Sequence, residues 1–359
     1  MKFFLPLCLF VFGAFSSFAD EVGAKRAIAE YEAEVADWVK KVNAAAGVAE
    51  RRVLLKEVPD PDAFGARLLR QLDGAWNQEW FLDYAPKLLE LAPAFSTKII
   101  ENTGNRTPLS AVRDSAERFH FNSSKIGPLA LALIIDTGPK TRKFLEKIEA
   151  THPDLEVQGQ TAMALAMLSR KMGNGGNVPQ FKEQRIKWLR KAIINAKHVK
   201  CGQGDIGDLA QDFLFAITNL DKGMTAPDVL GWNVEEQAMR LSDFRGRPVM
   251  IVFWHTRMPA ADESMAFLRK VEERLGKRGL VIVGVASENR EPLRELVKDG
   301  SVTWKNWIDN EGKIAKLYQV TNYPSCWVLN AEGLVEYNGP PGAFAELSAE
   351  TLVNDFEAK

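Results

Sequence analysis

The sequence predicts a two-domain α+β protein, with an all-α N-terminal part and an α/β C-terminal part. A chain of 359 residues is longer than a typical single domain. Before residue 220, apolar residues recur at spacings of three and four, the pattern of helices packed on one side. Later in the chain, the apolar run Val249–Trp254 ends in a turn that leads to an amphipathic segment reaching about Leu275, which indicates a strand, a loop and a helix.

The first residues have the pattern of a secretory leader. Lys2 precedes an apolar run, residues 3–15, that is too short to span a bilayer. The small residues Ser17 and Ala19 then form a cleavage pattern before Asp20. We therefore predict a signal peptide at residues 1–19, cleaved after Ala19, and a periplasmic or secreted protein with no integral membrane segment after cleavage. An uncleaved membrane anchor is the alternative that is less favoured.

Residues 20–221 are predicted to be almost entirely helical. Spacings of three and four mark the first seam, which consists of Ile28, Tyr31, Val35, Trp38 and Val42. Prolines and a glycine-rich segment separate the later predicted helices, at residues 75–91, 125–135, 141–150, 157–172, 180–197 and 208–220. Short helices at this spacing predict an irregular solenoid or a bundle.

Composition and motifs exclude several function classes. A net charge of −1 gives no electrostatic reason to expect a nucleic acid or an anionic membrane as partner. The four histidines show no paired metal-ligand spacing, and no P-loop is present, so we predict neither a metal nor a cofactor. The segment Gly202 to Gly207 matches G-x-G-x-x-G by letter. It follows a basic helix and not a strand, which predicts a loop and not a dinucleotide site.

Several separated motifs in the C-terminal part resemble one superfamily. They are GMTAPD at residues 223–228, LSDFRGRPV at 241–249, YQVTNYP at 318–324 and CWVLNAEG at 326–333. The set resembles thioredoxin-like proteins of the periplasmic TlpA/ResA type and the related AhpC/TSA peroxiredoxins. The resemblance implies a thioredoxin-like α/β domain at residues 222–359, with a central mixed sheet flanked by helices. It also implies that Pro324 is a cis-proline facing the active-site loop.

The resemblance breaks at the residues that carry the family's chemistry. Where family members have Phe-Trp-x-x-x-Cys-x-x-Cys, residues 253–261 read FWHTRMPAA, so Met258 and Ala261 stand at the two cysteine positions. The peroxiredoxin pattern also places a cysteine where Met258 lies. A thioether has no proton to lose and cannot become the attacking thiolate. We therefore predict no catalytic residue in this loop and a redox-inactive domain.

The leading functional hypothesis is a binding or scaffolding module for a partner protein or an extended peptide of unknown identity. The predicted contact residues are Trp254, His255, Arg257 and Pro324. Unpaired N–H groups at the start of a helix favour an anion or a polar peptide beside His255 and Arg257. Core packing is the alternative interpretation for Trp254, and a solvated loop is the alternative for His255 and Arg257.

Two other functions remain open. In the first, Cys326 is an atypical nucleophile of an active oxidoreductase or thiol peroxidase, and Cys201 or an external thiol resolves it. This reading requires an exposed Cys326 near a positive group, whereas a buried strand cysteine is the favoured interpretation. In the second, the protein is structural and assembles through its helical half. The sequence does not determine whether Cys201 and Cys326 are bonded.

Overall fold

The structure is a computed structural model that describes residues 19–46, 48–99, 106–171, 179–202, 204–258 and 261–358. The predicted signal peptide lies outside these ranges apart from Ala19, and so do the glycine-rich segment at 173–177 and two residues of the predicted active-site loop, 259 and 260. The chain divides into two compact units, of which the first ends at Asp208 and the second begins at Leu209.

The N-terminal unit is helical, as predicted. Its helices are α1 (Glu21–Ala44), α2 (Val48–Leu54), α3 (Pro61–Leu72), α4 (Phe81–Leu91), α5 (Pro93–Thr97), α6 (Pro108–Phe119), α7 (Ile126–Ala132), α8 (Pro139–Thr151), α9 (Leu155–Lys171) and α10 (Pro179–Ala196), with a 3-10 turn at Leu133–Ile135. Helix α9 packs against α7, α8 and α10. Tyr31 is buried and stacks on Phe64 of α3 with ring centroids 4.3 Å apart, so the apolar seam of α1 faces its neighbour.

Four helices, α2, α3, α5 and α6, were not among the predicted helices. Helices α3 and α6 each begin with a proline that the sequence analysis treats as a helix boundary, whereas proline also fits the first helical position because its missing N–H has no intrahelical partner there. Asp60 and Thr107 cap these helices by accepting backbone N–H groups.

The segment from Gly202 to Gly207 also differs from the predicted loop. It contributes to a short antiparallel hairpin of β1 (Lys200–Cys201) and β2 (Gly204–Asp205). Gly202 has a φ of +63°, a conformation that glycine adopts without strain. The hairpin leads into helix α11 (Ile206–Phe215).

The C-terminal unit contains the predicted mixed sheet. A hairpin of β3 (Leu230–Trp232) and β4 (Ala238–Arg240) precedes it. The elements of this part, in chain order, are β5 (Val249–Trp254), α12 (Ala261–Leu275), β6 (Val281–Ala286), α13 (Arg290–Lys298), β7 (Lys305–Ile308), α14 (Lys313–Leu317), β8 (Ser325–Leu329), β9 (Val335–Gly339) and α15 (Ala343–Glu357). The sheet has the strand order β7-β6-β5-β8-β9. Strands β5, β6 and β7 are parallel, β8 is antiparallel to β5, and β9 is antiparallel to β8.

The central strand β5 is buried on both faces, and its alternating side chains enter two separate cores. Met250, Val252 and Trp254 pack on one face with residues of α12 and α15. Ile251 and Phe253 pack on the other face, which α14 covers. A strand with both faces covered reads as a continuous apolar run, which is why the sequence pattern identified it.

The division between the two units lies upstream of the domain boundary predicted between residues 221 and 222. Leu220 is only 3% exposed and belongs to the core of the C-terminal unit, and Phe215 and Ala216 pack against the same core. The end of α11 and the π-helical turn Ala216–Leu220 therefore form part of the C-terminal unit.

Candidate functional site

The candidate site lies at the carboxyl end of β5, where the chain leaves the sheet. The described loop residues, His255 to Met258, connect β5 toward α12. Because β8 is antiparallel to β5, its first residue Ser325 pairs with Phe253 at the last part of that strand. The Tyr323–Pro324 peptide bond is cis, as predicted, and it directly precedes β8 beside the loop.

The two residues at the family's cysteine positions are packed inward. Met258 is 4% exposed and belongs to the same core as Trp254 and Met265. Its N–H donates to the His255 carbonyl at 3.2 Å, which closes a tight turn. Ala261, half-buried at the start of α12, packs against that core as well. The methionine thus acts as a flexible apolar filler of the core.

Trp254 lies beneath the loop and not on its surface. Its side chain is fully buried, and its Nε1–H donates to Asn306 Oδ1 at 3.0 Å. Asn306 in turn donates to the Trp304 carbonyl at 2.9 Å. Gly284 makes room for this pair, since a Cβ there would lie 1.9 Å from Asn306 Oδ1. The predicted direct contact of Trp254 with a partner does not fit this burial; the alternative interpretation, core packing, does.

His255, Thr256, Arg257, Tyr323 and Pro324 form what we call the loop surface. Thr256 and Arg257 are exposed, and the other three are half-buried. The His255 ring lies on Tyr323 with centroids 4.9 Å apart, and its buried Nδ1 has no hydrogen-bond partner among the described residues. The structure thus brings together three of the four predicted binding residues: His255, Arg257 and Pro324.

Glu288 supports this surface and was missed by the sequence analysis. Its buried carboxylate accepts the Thr256 N–H at 2.7 Å and the Thr256 hydroxyl at 2.6 Å. Burial alone would raise the pKa of Glu288, but the two bonds from Thr256 and the positive charges of Arg257 and His255 outweigh it and lower the pKa. Its position just after β6, at the carboxyl end of a parallel strand, is the signal that could have identified it.

We expect Thr256→Val to lower the free energy of unfolding by about 1.5 kcal/mol at neutral pH, because it removes a hydroxyl donor to a buried carboxylate. A lowered pKa means that the charged form of Glu288 stabilises the fold above its ordinary pKa of 4.5 and that this stability is lost as the pH falls through the folded value. Urea unfolding of both proteins over a pH series should show their difference shrinking in acid. A difference that grows in acid would contradict this assignment.

Among the described residues, Cys201 and Cys326 are free thiols in different environments. Cys326 is fully buried on β8 opposite Val252, and this burial raises its pKa well above the ordinary range. Cys201 is half-buried; burial, and to a lesser extent the Glu90 carboxylate, raise its pKa. Cys326 therefore does not meet the exposure that an atypical nucleophile requires.

We expect Cys326 in the folded protein to react with iodoacetamide about tenfold or more slowly than Cys201, since burial both blocks access and suppresses the thiolate. Mass spectrometry of timed samples at neutral pH measures both rates. Unfolding in urea should make the two rates similar. Faster labelling of Cys326 than of Cys201 in the folded protein would favour the oxidoreductase alternative.

The C-terminal unit is similar to known proteins. The AhpC/TSA family matches residues 222–338. The thiol-disulfide oxidoreductase ResA of Bacillus thuringiensis is 24% identical over 128 residues, which cover 35% of this chain and 74% of that protein. ResA of Geobacillus kaustophilus is 25% identical over 156 residues, covering 43% and 87%. The C-terminal unit contains a thioredoxin-like redoxin domain.

Solved structures similar to the redoxin domain include the thioredoxin domain of a thiol-disulfide oxidoreductase from Bacteroides vulgatus. That match has a TM-score of 0.35 and 21% identity, and it covers 38% of this chain and 100% of the other. A thiol:disulfide interchange protein DsbE from Chlorobium tepidum matches with a TM-score of 0.34 and 19% identity, covering 38% and 98%.

In the described part of the chain, the His, Cys, Asp and Glu side chains form no group of three or more that could hold a metal ion. Over the same residues, no helix combines the length and the apolar character needed to cross a membrane. The absence of a metal and of a cofactor stays a prediction.

Proposed function

We propose that the redoxin domain is redox-inactive and binds an extended peptide or a partner protein at the loop surface. One observation carries the proposal: the sulfur in the loop belongs to Met258, a thioether packed in the core. Disulfide exchange begins with attack by a thiolate, which a thioether cannot form. Cys326 offers no substitute, because its thiol is fully buried and its pKa is raised.

The loop surface has the properties of a small recognition site. Arg257 supplies an exposed positive charge with planar donors suited to carboxylate or carbonyl oxygens. The buried Glu288 accepts hydrogen bonds from the backbone N–H and the hydroxyl of Thr256, so this part of the loop is fixed before a partner arrives. A fixed loop loses less conformational entropy on binding than a mobile one.

We further propose that the protein acts outside the cytoplasm, in the periplasm or as a secreted protein. The support is the leader pattern at residues 1–19 together with the resemblance of the redoxin domain to periplasmic TlpA/ResA-type proteins. Fractionation of the native host, with N-terminal sequencing of the protein recovered, tests this part.

A peptide array probed with the purified protein tests the binding proposal. We expect Arg257→Ala and His255→Ala to lose most of the signal on the peptides that bind the unmodified chain. Lys277→Ala is the matched control, since Lys277 is exposed and precedes β6 at the opposite end of the sheet. Insulin reduction is measured in parallel and should stay at background. Equal binding by all variants, or turnover of insulin, would overturn the proposal.

A further inference from the structure

The N-terminal unit contains a cleft that the redoxin chemistry does not involve. It has a volume of about 570 Å³ and lies between α3 and α6, beside the turn that contains Trp76. Its lining includes Arg70, Asp73, Trp76, Ala111, Arg118 and Phe119. Pockets that hold small molecules have volumes of roughly 300–1,000 Å³. The cleft is thus of a size that suits a small organic ligand.

The walls of the cleft are held in place by hydrogen bonds to one carbonyl group. The Trp76 carbonyl accepts the Ser115 hydroxyl at 2.5 Å and contacts His120 Nε2 at 2.9 Å. His120 also stacks on Phe81, with ring centroids 5.8 Å apart. These contacts fix the Trp76 turn against α6, so the shape of the cleft exists without a ligand.

Helix α6 presents one face to the cleft. Pro108, Ala111, Ser115 and Arg118 line it, at the spacings of three and four that share a helix face. The small side chains of Ala111 and Ser115 leave the floor open, while Arg118 and Phe119 form one end. Phe119 is 48% exposed, and the Arg118 guanidinium lies 5.0 Å from its ring centroid. An aromatic ring beside a guanidinium can hold both an apolar body and an oxyanion.

The charges around the cleft do not balance. The lining contains Arg70, Arg106 and Arg118 against Asp73 and Asp114. Asp114 accepts Arg113 Nε and Nη2 at 3.0 and 2.7 Å, and Asp73 accepts Trp76 Nε1–H at 3.2 Å. Within the described parts of the chain, Arg70 and Arg118 make no ion pair, and both are exposed. Arg70 and Arg118 therefore offer guanidinium donors beside the aromatic surface of the cleft.

We propose that this cleft binds a small organic anion that joins a flat apolar body to a carboxylate, sulfonate or phosphate group. The oxyanion pairs with Arg70 and Arg118, which donate charge-assisted hydrogen bonds, and the apolar body covers Phe119 and Trp76. The site lies in the N-terminal unit and is independent of the proposed function of the redoxin domain.

Fluorescence titration of the purified protein with anilinonaphthalene sulfonate tests the proposal. We expect the double variant Arg70→Ala with Arg118→Ala to bind this probe about tenfold or more weakly, because it loses the charge-assisted bonds. Arg190→Ala, an exposed arginine on α10, should bind like the unmodified protein. Ala111→Leu, which keeps the arginines but fills the floor, should also weaken binding. Unchanged affinity in the double variant would overturn the proposal.

Competition experiments separate charge recognition from nonspecific apolar binding. Naphthalene sulfonate should displace the probe at a much lower concentration than naphthol, which has the same ring system but no charge at neutral pH. Equal displacement by the two compounds would contradict recognition of an anion. Circular dichroism melting curves of all variants control for folding, and we expect the double variant to match the unmodified protein, because Arg70 and Arg118 are exposed.

Discussion

Replacing Trp254 with alanine is expected to lower the free energy of unfolding of the C-terminal unit by about 3–5 kcal/mol. The side chain is fully buried between β5 and α12, and it meets Trp304 edge-to-face at a centroid distance of 6.3 Å. The substitution leaves a cavity and removes the donor for Asn306 Oδ1, a buried acceptor. Urea unfolding followed by circular dichroism measures the loss.

Two further variants serve as comparisons for Trp254→Ala. Trp254→Phe keeps a ring but loses the N–H, and we expect a smaller loss of about 1–3 kcal/mol from the unpaired Asn306 oxygen. Trp232→Ala removes a tryptophan that is 53% exposed on β3 and should change stability little. Equal destabilisation by Trp254→Ala and Trp232→Ala would contradict the role of Trp254 in the core.

Placing cysteines at positions 258 and 261 should change the activity of the redoxin domain. We expect Met258→Cys combined with Ala261→Cys to raise insulin reduction from background to measurable turnover. A cysteine at 258 precedes the start of α12, where unpaired N–H groups and the helix dipole stabilise a thiolate, and position 261 is the first residue of that helix. The loop would then carry cysteines at both positions where the resembled family pattern has them.

The controls for this gain of activity distinguish the thiols introduced at positions 258 and 261 from the native thiol of Cys326. Met258→Ser with Ala261→Ser makes the same positions small and polar without sulfur, and it should stay inactive. Adding Cys326→Ser to the double-cysteine variant should leave turnover unchanged, because Cys326 is buried. Activity in the unmodified chain that disappears with Cys326→Ser would contradict the proposed inactivity and support the oxidoreductase alternative.

The apolar periodicity of the sequence predicted individual strands and helices. The apolar run of β5, the loop and α12 were identified because a buried strand and an amphipathic helix have distinct periods. The mixed sheet and the cis bond at Pro324 came from the family resemblance and are confirmed. The helices α3 and α6 were missed because proline was interpreted as a boundary when it occupies the first helical position.

Contacts between residues far apart in the chain could not be predicted from the sequence. Glu288 reaches Thr256 across 32 positions, and Trp254 reaches Asn306 across 52. No spacing rule joins such residues, because the pairing depends on the order of strands in the sheet. The same limit explains why Trp254 was predicted to contact a partner. The sequence showed an aromatic residue at the edge of a loop, whereas the direction of its side chain depends on the pleat of β5.

The two cores on either face of the sheet extend beyond residues 222–338, and this determines how the redoxin domain can be isolated. Residues 222–338 omit α15, whose Ala345, Ala349 and Val353 are fully buried against the sheet, and they omit Leu220 at the other end. A recombinant fragment cut at those limits would carry bare apolar surface on both sides of its sheet and would be prone to aggregate. A soluble fragment should instead begin near Leu209 and retain the chain through α15.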